Sequence, residues 1–153
     1  MATGAEAHAG CRFYVEIDHK KEALFTEVSG LQVEMQVTEY EEGGRNGFVH
    51  RLPGRLKVGN IVLKRGLVKA NDFFQWCLAA AEQDIIRRHI SIVAYDVAGQ
   101  EVVRWEFQGA YPVKWTGPTF NADQGTVAIE TLELAHEGLE LSSSVRNGSV
   151  QRV

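Results

Sequence analysis

The chain has 153 residues, 44% hydrophobic, 24% charged and 9% aromatic, and its 16 Lys+Arg against 20 Asp+Glu give a net charge of −4. That is the length of one domain, able to bury roughly 70% of the surface its unfolded form exposes without a disulfide or metal. The balance excludes general disorder and bulk nucleic-acid affinity, and no apolar run approaches the ~20 residues of a membrane-spanning helix.

Residues 1–10 are small and Gly/Ala-rich and lack the basic region and apolar core of a secretory signal. They are expected to form a flexible N-terminal segment, with a β domain over 11–141 and a flexible tail over 142–153. Cys11 and Cys77 are expected as free thiols of a chain made in the reducing cytoplasm.

Most of the domain reads as strand. Phe13, Val15 and Ile17 alternate with polar neighbours, and Leu31, Val33, Met35 and Val37 alternate with Gln32, Glu34, Gln36 and Thr38 to give one dry and one wet face. The glycines at 43, 44 and 47 break that pattern, and Pro53-Gly54 breaks the next short stretch. Residues 58–65 are apolar on both faces, which predicts a strand covered on both sides. A helix is predicted where Phe73, Trp76, Cys77 and Ala80 fall at i, i+3, i+4 and i+7, capped by Asp72 or Asn71. Residues 90–95 and 102–108 flank a turn and predict a hairpin, and the alternation resumes at Tyr111, Val113 and Trp115, with an edge or bulge at Pro112. Along 126–135 the apolar phase shifts from Val127 and Ile129 to Leu132 and Leu134, which predicts a bulge or burial on both faces. The fold class is therefore mainly β, about seven strands in two packed sheets (sandwich or barrel) with one flanking helix.

Chemical motifs are sparse. No nucleotide-binding Gly-rich loop, nucleophile elbow or Cys-x-x-Cys occurs, so no cofactor, metal or catalytic residue is assigned. His136-Glu137 starts like a zinc-protease motif, but Glu140 stands where the second His belongs, and the pair is expected to be solvated at a strand end. His19, His50 and His89 are scattered singly, and Glu130, Glu133, Glu137 and Glu140 are expected on a solvated face. Charge is more informative. Seven basic residues and no acid lie between Arg45 and Lys69, and five acids with no Lys or Arg lie between Phe120 and Leu141. Complementary blocks of this kind suit head-to-tail association into rings or filaments.

Several separate segments resemble one family. They are Glu39-Tyr40-Glu41-Glu42-Gly43-Gly44, Arg51-Leu52-Pro53-Gly54, Gly59-Asn60-Ile61-Val62-Leu63-Lys64-Arg65-Gly66 and Phe74-Gln75-Trp76. They continue through Arg87-Arg88-His89-Ile90-Ser91-Ile92, Trp105-Glu106-Phe107, Tyr111-Pro112-Val113-Lys114-Trp115 and the run from Ile129 to Leu139. Together they resemble the tail tube (inner tube) protein of contractile phage tails and phage-tail-like contractile injection systems, over about residues 11–141.

The resemblance implies a non-enzymatic subunit of hexameric rings stacked into a tube. Sheath protein would lie outside, baseplate and terminator or cap proteins at the ends, and cargo protein or DNA in the lumen. Four strands per subunit would join across the ring, and roughly twenty-four strands at ~4.8 Å spacing and ~40° tilt close a barrel on the order of 50 Å across. Gln32, Glu34, Gln36 and Thr38 are then the candidate lumen lining. Segment 42–57, read as a long loop, is the candidate ring-to-ring contact through Gly43, Gly44, Arg45, Asn46, Arg51, Leu52, Pro53 and Arg55, with Leu52 as apolar anchor. Assembly would be cytoplasmic, in a particle or virion that is released or membrane-anchored. Alternatives are a tube initiator next to the baseplate and a monomeric β-barrel binding a ligand against Trp105, Phe107 and Trp115.

Overall fold

The computed structural model describes residues 10–142 except 23, 24, 42, 45, 46, 48, 70, 71 and 124, together with Gln151 and Arg152. Its elements are β1 (Arg12–Ile17), β2 (Lys20–Glu22), β3 (Phe25–Ser29), β4 (Val33–Tyr40), β5 (His50–Val58), β6 (Ile61–Gly66), α1 (Asp72–Ala81), β7 (Arg88–Tyr95), β8 (Glu101–Thr116), β9 (Ile129–Ala135), β10 (Gly138–Ser142) and β11 (Gln151–Arg152). Mainly-β character with one flanking helix is as the alternation requires. The two residues of β11 pair with β10, inside the stretch expected to be a free tail.

One antiparallel path runs β2-β1-β7-β8-β9-β6-β3, with β10 on β8 and β11 on β10. The β7–β8 hairpin closes through Asp96 and Gly99, where Gly99 supplies the positive φ of 80° that the turn needs. Strand β8 serves both layers of the domain. Residues 101–107 pair with β7 and residues 104–108 with β10, Gly109 turns the chain at φ 61°, and residues 111–116 pair with β9. The irregularity expected at Pro112 is there, between Pro112 and Lys114. Val15, Ile90, Ile92 and Phe107 from one layer meet Ile61, Leu63, Leu132 and Leu134 from the other in a single core. Phe107 is 1% exposed, and Trp105 and Trp115 pack against the same cluster. The rings suggested for a ligand cavity therefore fill the core.

Helix α1 covers one side of this core. Phe73 and Trp76 are buried from its inner face, and the Trp76 indole donates to the Ile86 carbonyl at 2.8 Å. Asp72 is the first helical residue, and its carboxylate accepts from Arg65 Nη2 at 2.7 Å. Asn71, the alternative cap, lies outside the described residues.

Strands β6 and β9 depart from the expected apolar pattern in a paired way. β6 buries Ile61, Leu63 and Arg65 and leaves its other face half-buried, so it is not covered equally on both sides. β9 buries Glu130, Leu132 and Leu134 in unbroken alternation, so there is no phase shift within the strand. Val127 precedes β9 and is 76% exposed. Apolar periodicity misses this because the inward position carries a carboxylate facing the inward arginine of the neighbouring strand.

Candidate functional site

The most distinctive surface is an arm. β4 and β5 pair only with each other, in a two-stranded sheet separate from the main path. Because β3 runs into β4 and β5 into β6, and β3 also pairs with β6, the arm prolongs the β3–β6 pair beyond the core. Arg51, Leu52, Pro53 and Arg55 thus stand on strand β5, where segment 42–57 was expected to be a loop. The alternation signal is weak there because Pro53 and Gly54 interrupt it at a bulge between the pairs Met35–Leu56 and Val37–Pro53. A Cβ on Gly54 would sit 2.8 Å from the Gln36 carbonyl oxygen, so the bulge needs glycine. Proline is tolerated in an arm whose strands each have an open edge. Gly43, Gly44 and Gly47 are exposed turn residues at the tip, and Arg45 and Asn46 lie outside the described residues.

Register defines two faces. Glu34 stands opposite Lys57 and Thr38 opposite Leu52, which places Glu34, Gln36 and Thr38 on one face together with Leu52. Val33 opposite Val58, Met35 opposite Leu56 and Val37 opposite Pro53 make the other. This second face does not reach the core of its own subunit. Val33 is 43%, Met35 50% and Leu56 48% exposed, and Leu31 and Val37 are exposed as well. The dry face expected from the alternation exists, but nothing within the subunit covers it among the described residues.

The root of the arm is tightly determined. Gly30 has φ 86°, and a Cβ there would fall 1.9 Å from the Asn60 carbonyl oxygen. Gly59 donates its N–H to Gln32 at 3.0 Å, and its carbonyl accepts from His136 Nε2 at 2.9 Å. Asn60 Nδ2 donates to Glu133 at 2.8 Å. His136 is therefore half-buried at the arm's root, against the edge of Phe107, and not solvated as its motif-like context suggested. Sequence spacing holds no signal for this role, because the partner is a distant backbone carbonyl.

Behind the arm, α1 is tied to the sheet by a buried cluster. Arg65 Nε donates to Glu130, Arg65 Nη2 to Asp72, and the Trp115 indole to the second Glu130 oxygen at 3.1 Å. The Arg65 guanidinium also lies 3.6 Å above the Phe73 ring. Burial pulls the Arg65 pKa down, but hydrogen bonds and charge from Asp72 and Glu130 outweigh that and raise it overall.

The acidic block is largely used within the subunit, and the basic block in part. Lys64 pairs with Glu27 at 2.9 Å, Arg51 with Glu39 at 3.6 Å, Arg65 with Glu130, and Arg87 with Glu137. Glu130 is buried instead of solvated, and Glu133 is held by Asn60. The acidic block is therefore not a continuous exposed patch, whereas Arg55, Lys57 and Lys69 of the basic block are exposed. His89, expected to be isolated, stacks on His19 with ring centroids 5.1 Å apart. Cys11 is exposed and Cys77 half-buried, and burial pushes the pKa of the Cys77 thiol upward.

A two-layer β core carrying a separate two-stranded arm, whose apolar face is uncovered among the described residues, defines the class of fold. The chain belongs to the T4-like virus tail tube protein gp19 family, whose sequence model matches residues 9–140. Among solved structures it is similar to a chain of the PVC sheath-tube complex of an extracellular contractile injection system, with 24% identity, a TM-score of 0.80, and 92% of this chain and 94% of that one covered. It is also similar to a chain of the anti-feeding prophage (AFP) tube terminating cap, with 25% identity, a TM-score of 0.78, and 94% and 100% covered. Hcp1 from Flavobacterium johnsoniae shares the fold at 14% identity and a TM-score of 0.55, with 92% and 98% covered. A comparison with curated proteins gave no match.

Proposed function

We propose that the chain is the structural subunit of the inner tube of a contractile injection system or phage tail, forming hexameric rings that stack head to tail around a lumen for cargo protein or DNA. The uncovered apolar face of the arm carries this reading. Fully covering side chains such as Val33, Met35 and Leu56 is worth about 1.5–3 kcal/mol each, and half of that gain is still outstanding in the lone subunit. A neighbouring copy supplies the cover. The opposite face, with Glu34, Gln36 and Thr38, then looks into the lumen, with Gln32 at its root. The arm's tip, with Gly43, Gly44 and Gly47, and its basic strand β5 reach toward the adjacent ring. Sheath protein outside and baseplate or cap proteins at the ends complete the particle, as the sheath-tube, cap and baseplate structures of similar chains suggest.

Negative-stain microscopy with light scattering on the purified chain tests this. Hollow six-fold rings or tubes are the expected result, and a concentration-independent monomer refutes it. Likeness to a chain of the terminating cap favours a second reading, a tube-end relative. Single rings that never polymerise would select that reading over the bulk tube subunit.

A further inference from the structure

His136, at the arm's root, meets a hydrogen-bond acceptor on each of its ring nitrogens. Nε2 lies 2.9 Å from the Gly59 carbonyl oxygen, and Nδ1 lies 3.2 Å from the Gly138 carbonyl oxygen. A carbonyl can only accept, and a neutral imidazole carries a single N–H. The neutral ring therefore satisfies one contact and sets a lone pair against the other oxygen. The imidazolium carries both protons and satisfies both. Flipping the ring would turn carbon atoms toward both oxygens, so no other orientation serves either contact. Phe107, 1% exposed, packs against the ring at a centroid distance of 4.9 Å.

The two carbonyls belong to different parts of the fold. Gly59 joins β5 to β6 where the arm leaves the core, and its N–H is already given to Gln32 at 3.0 Å. Gly138 opens β10, which pairs with β8 in the other layer. A doubly protonated His136 thus ties the arm's root to that layer, whereas a neutral ring holds one side only. The charged groups on the flanking elements are Lys57 on β5, Glu106 on β8, Glu133 on β9, Glu137 beside the ring and Glu140 on β10. Glu133 is held by Asn60 and Glu137 by Arg87, and among the described residues the polar contacts of the ring are the two carbonyls alone.

We propose that His136 is a proton-operated latch, in which uptake of the second ring proton adds the Gly138 bond to the Gly59 bond and stiffens the arm. Bonds from a charged donor are stronger than neutral ones, so both contacts tighten together. The added stability is present while the ring is charged and is lost as pH rises and the proton leaves. The latch is a property of the single subunit and does not depend on the tube reading.

Hydrogen exchange of the full chain, corrected for the intrinsic pH dependence of amide exchange, tests this. At about pH 5.5 the Gly59 amide and the root of β4 should exchange about tenfold more slowly than at about pH 7.5, while β7 in the core keeps its protection. His50 at the start of β5 is the arm's own histidine. His50→Gln should therefore keep the slope, and His136→Gln should abolish it. Equal slopes in the unmodified chain and in His136→Gln overturn the latch. Solid-state NMR of the unmodified chain with isotope-labelled histidine reads the ring itself, whatever a variant does to folding. Two protonated nitrogens on His136 at about pH 5.5 are expected, and a ring that keeps one bare nitrogen there overturns the proposal.

Discussion

Arg65 donates to Glu130 across the β6–β9 pair, with 4% and 5% of the two side chains exposed. An ion pair this deep is a fixed internal contact, and the same arginine reaches Asp72 at the start of α1. Glu130→Ala leaves the guanidinium buried with a single partner and opens the Trp115 contact. A loss of about 3 kcal/mol is expected in denaturant unfolding, because a buried charge stripped of one of its two carboxylates costs more than the pair itself is worth. Replacing both partners, as in Arg65→Met with Glu130→Leu, should recover much of that loss.

The sign of the pH effect follows from the raised Arg65 pKa. A group whose folded pKa lies above its unfolded value contributes stability that is fully present below the unfolded value and lost as pH rises through the folded one. For an arginine that window is strongly alkaline. Melting curves from neutral to mildly alkaline pH should therefore show no loss attributable to Arg65 or to Arg104, whose pKa is raised by Glu101 and Glu16 against the opposing effect of burial.

Val33→Lys and Glu34→Lys separate the two faces of the arm. Val33 is 43% exposed in the subunit, so the lysine should change subunit stability by only about 0.5 kcal/mol while abolishing rings by light scattering. Glu34→Lys sets like charges directly opposite at Lys57, a cost of about 0.2–1 kcal/mol, and should leave tubes nearly intact with an altered lumen charge. Equal damage to assembly from both would show that the faces are exchanged.

Gly30→Ala should cripple the arm's root. The new Cβ meets the Asn60 carbonyl oxygen, and the φ of 86° is unfavourable for any side chain. Backbone strain of about 1–3 kcal/mol is expected, with faster hydrogen exchange at Gly59 and along β4 and β5 than in the core strands. His136→Ala, which removes one hydrogen bond at the same root, should cost about 1 kcal/mol and weaken the arm in the same direction.

Removing residues 43–47 shortens the arm's tip without touching the core. Folded subunits and single rings are expected, with long tubes lost in electron micrographs. High salt should loosen stacking more than ring closure, since exposed ion pairs of ~0.2–1 kcal/mol are screened and strand pairing is not. Normal-length tubes from the shortened chain would leave the tip with no stacking role.

Local pattern alone determined the alternating strands around 12–18, 31–38 and 90–95, the helix around Phe73 and Trp76, and the irregularity at Pro112. Side-chain period and turn chemistry are properties of neighbouring residues, so they are written where a linear reading finds them. The two faces of β4 were legible for the same reason. What covers each face was not. Val33 and Met35 read as core, yet the arm carries them beyond the core, because the turn at Gly30 and the contacts of Gly59 with Gln32 and His136 fix its direction. The strand character of β5 was hidden by Pro53 and Gly54, residues that an isolated two-stranded arm accepts and a central strand would not. Glu130 read as a solvated charge because a carboxylate is costly to bury without a partner, and its partner Arg65 is distant in the sequence. Only the register of β9 on β6 brings them opposite one another, and that pairing of distant segments is decided by tertiary structure.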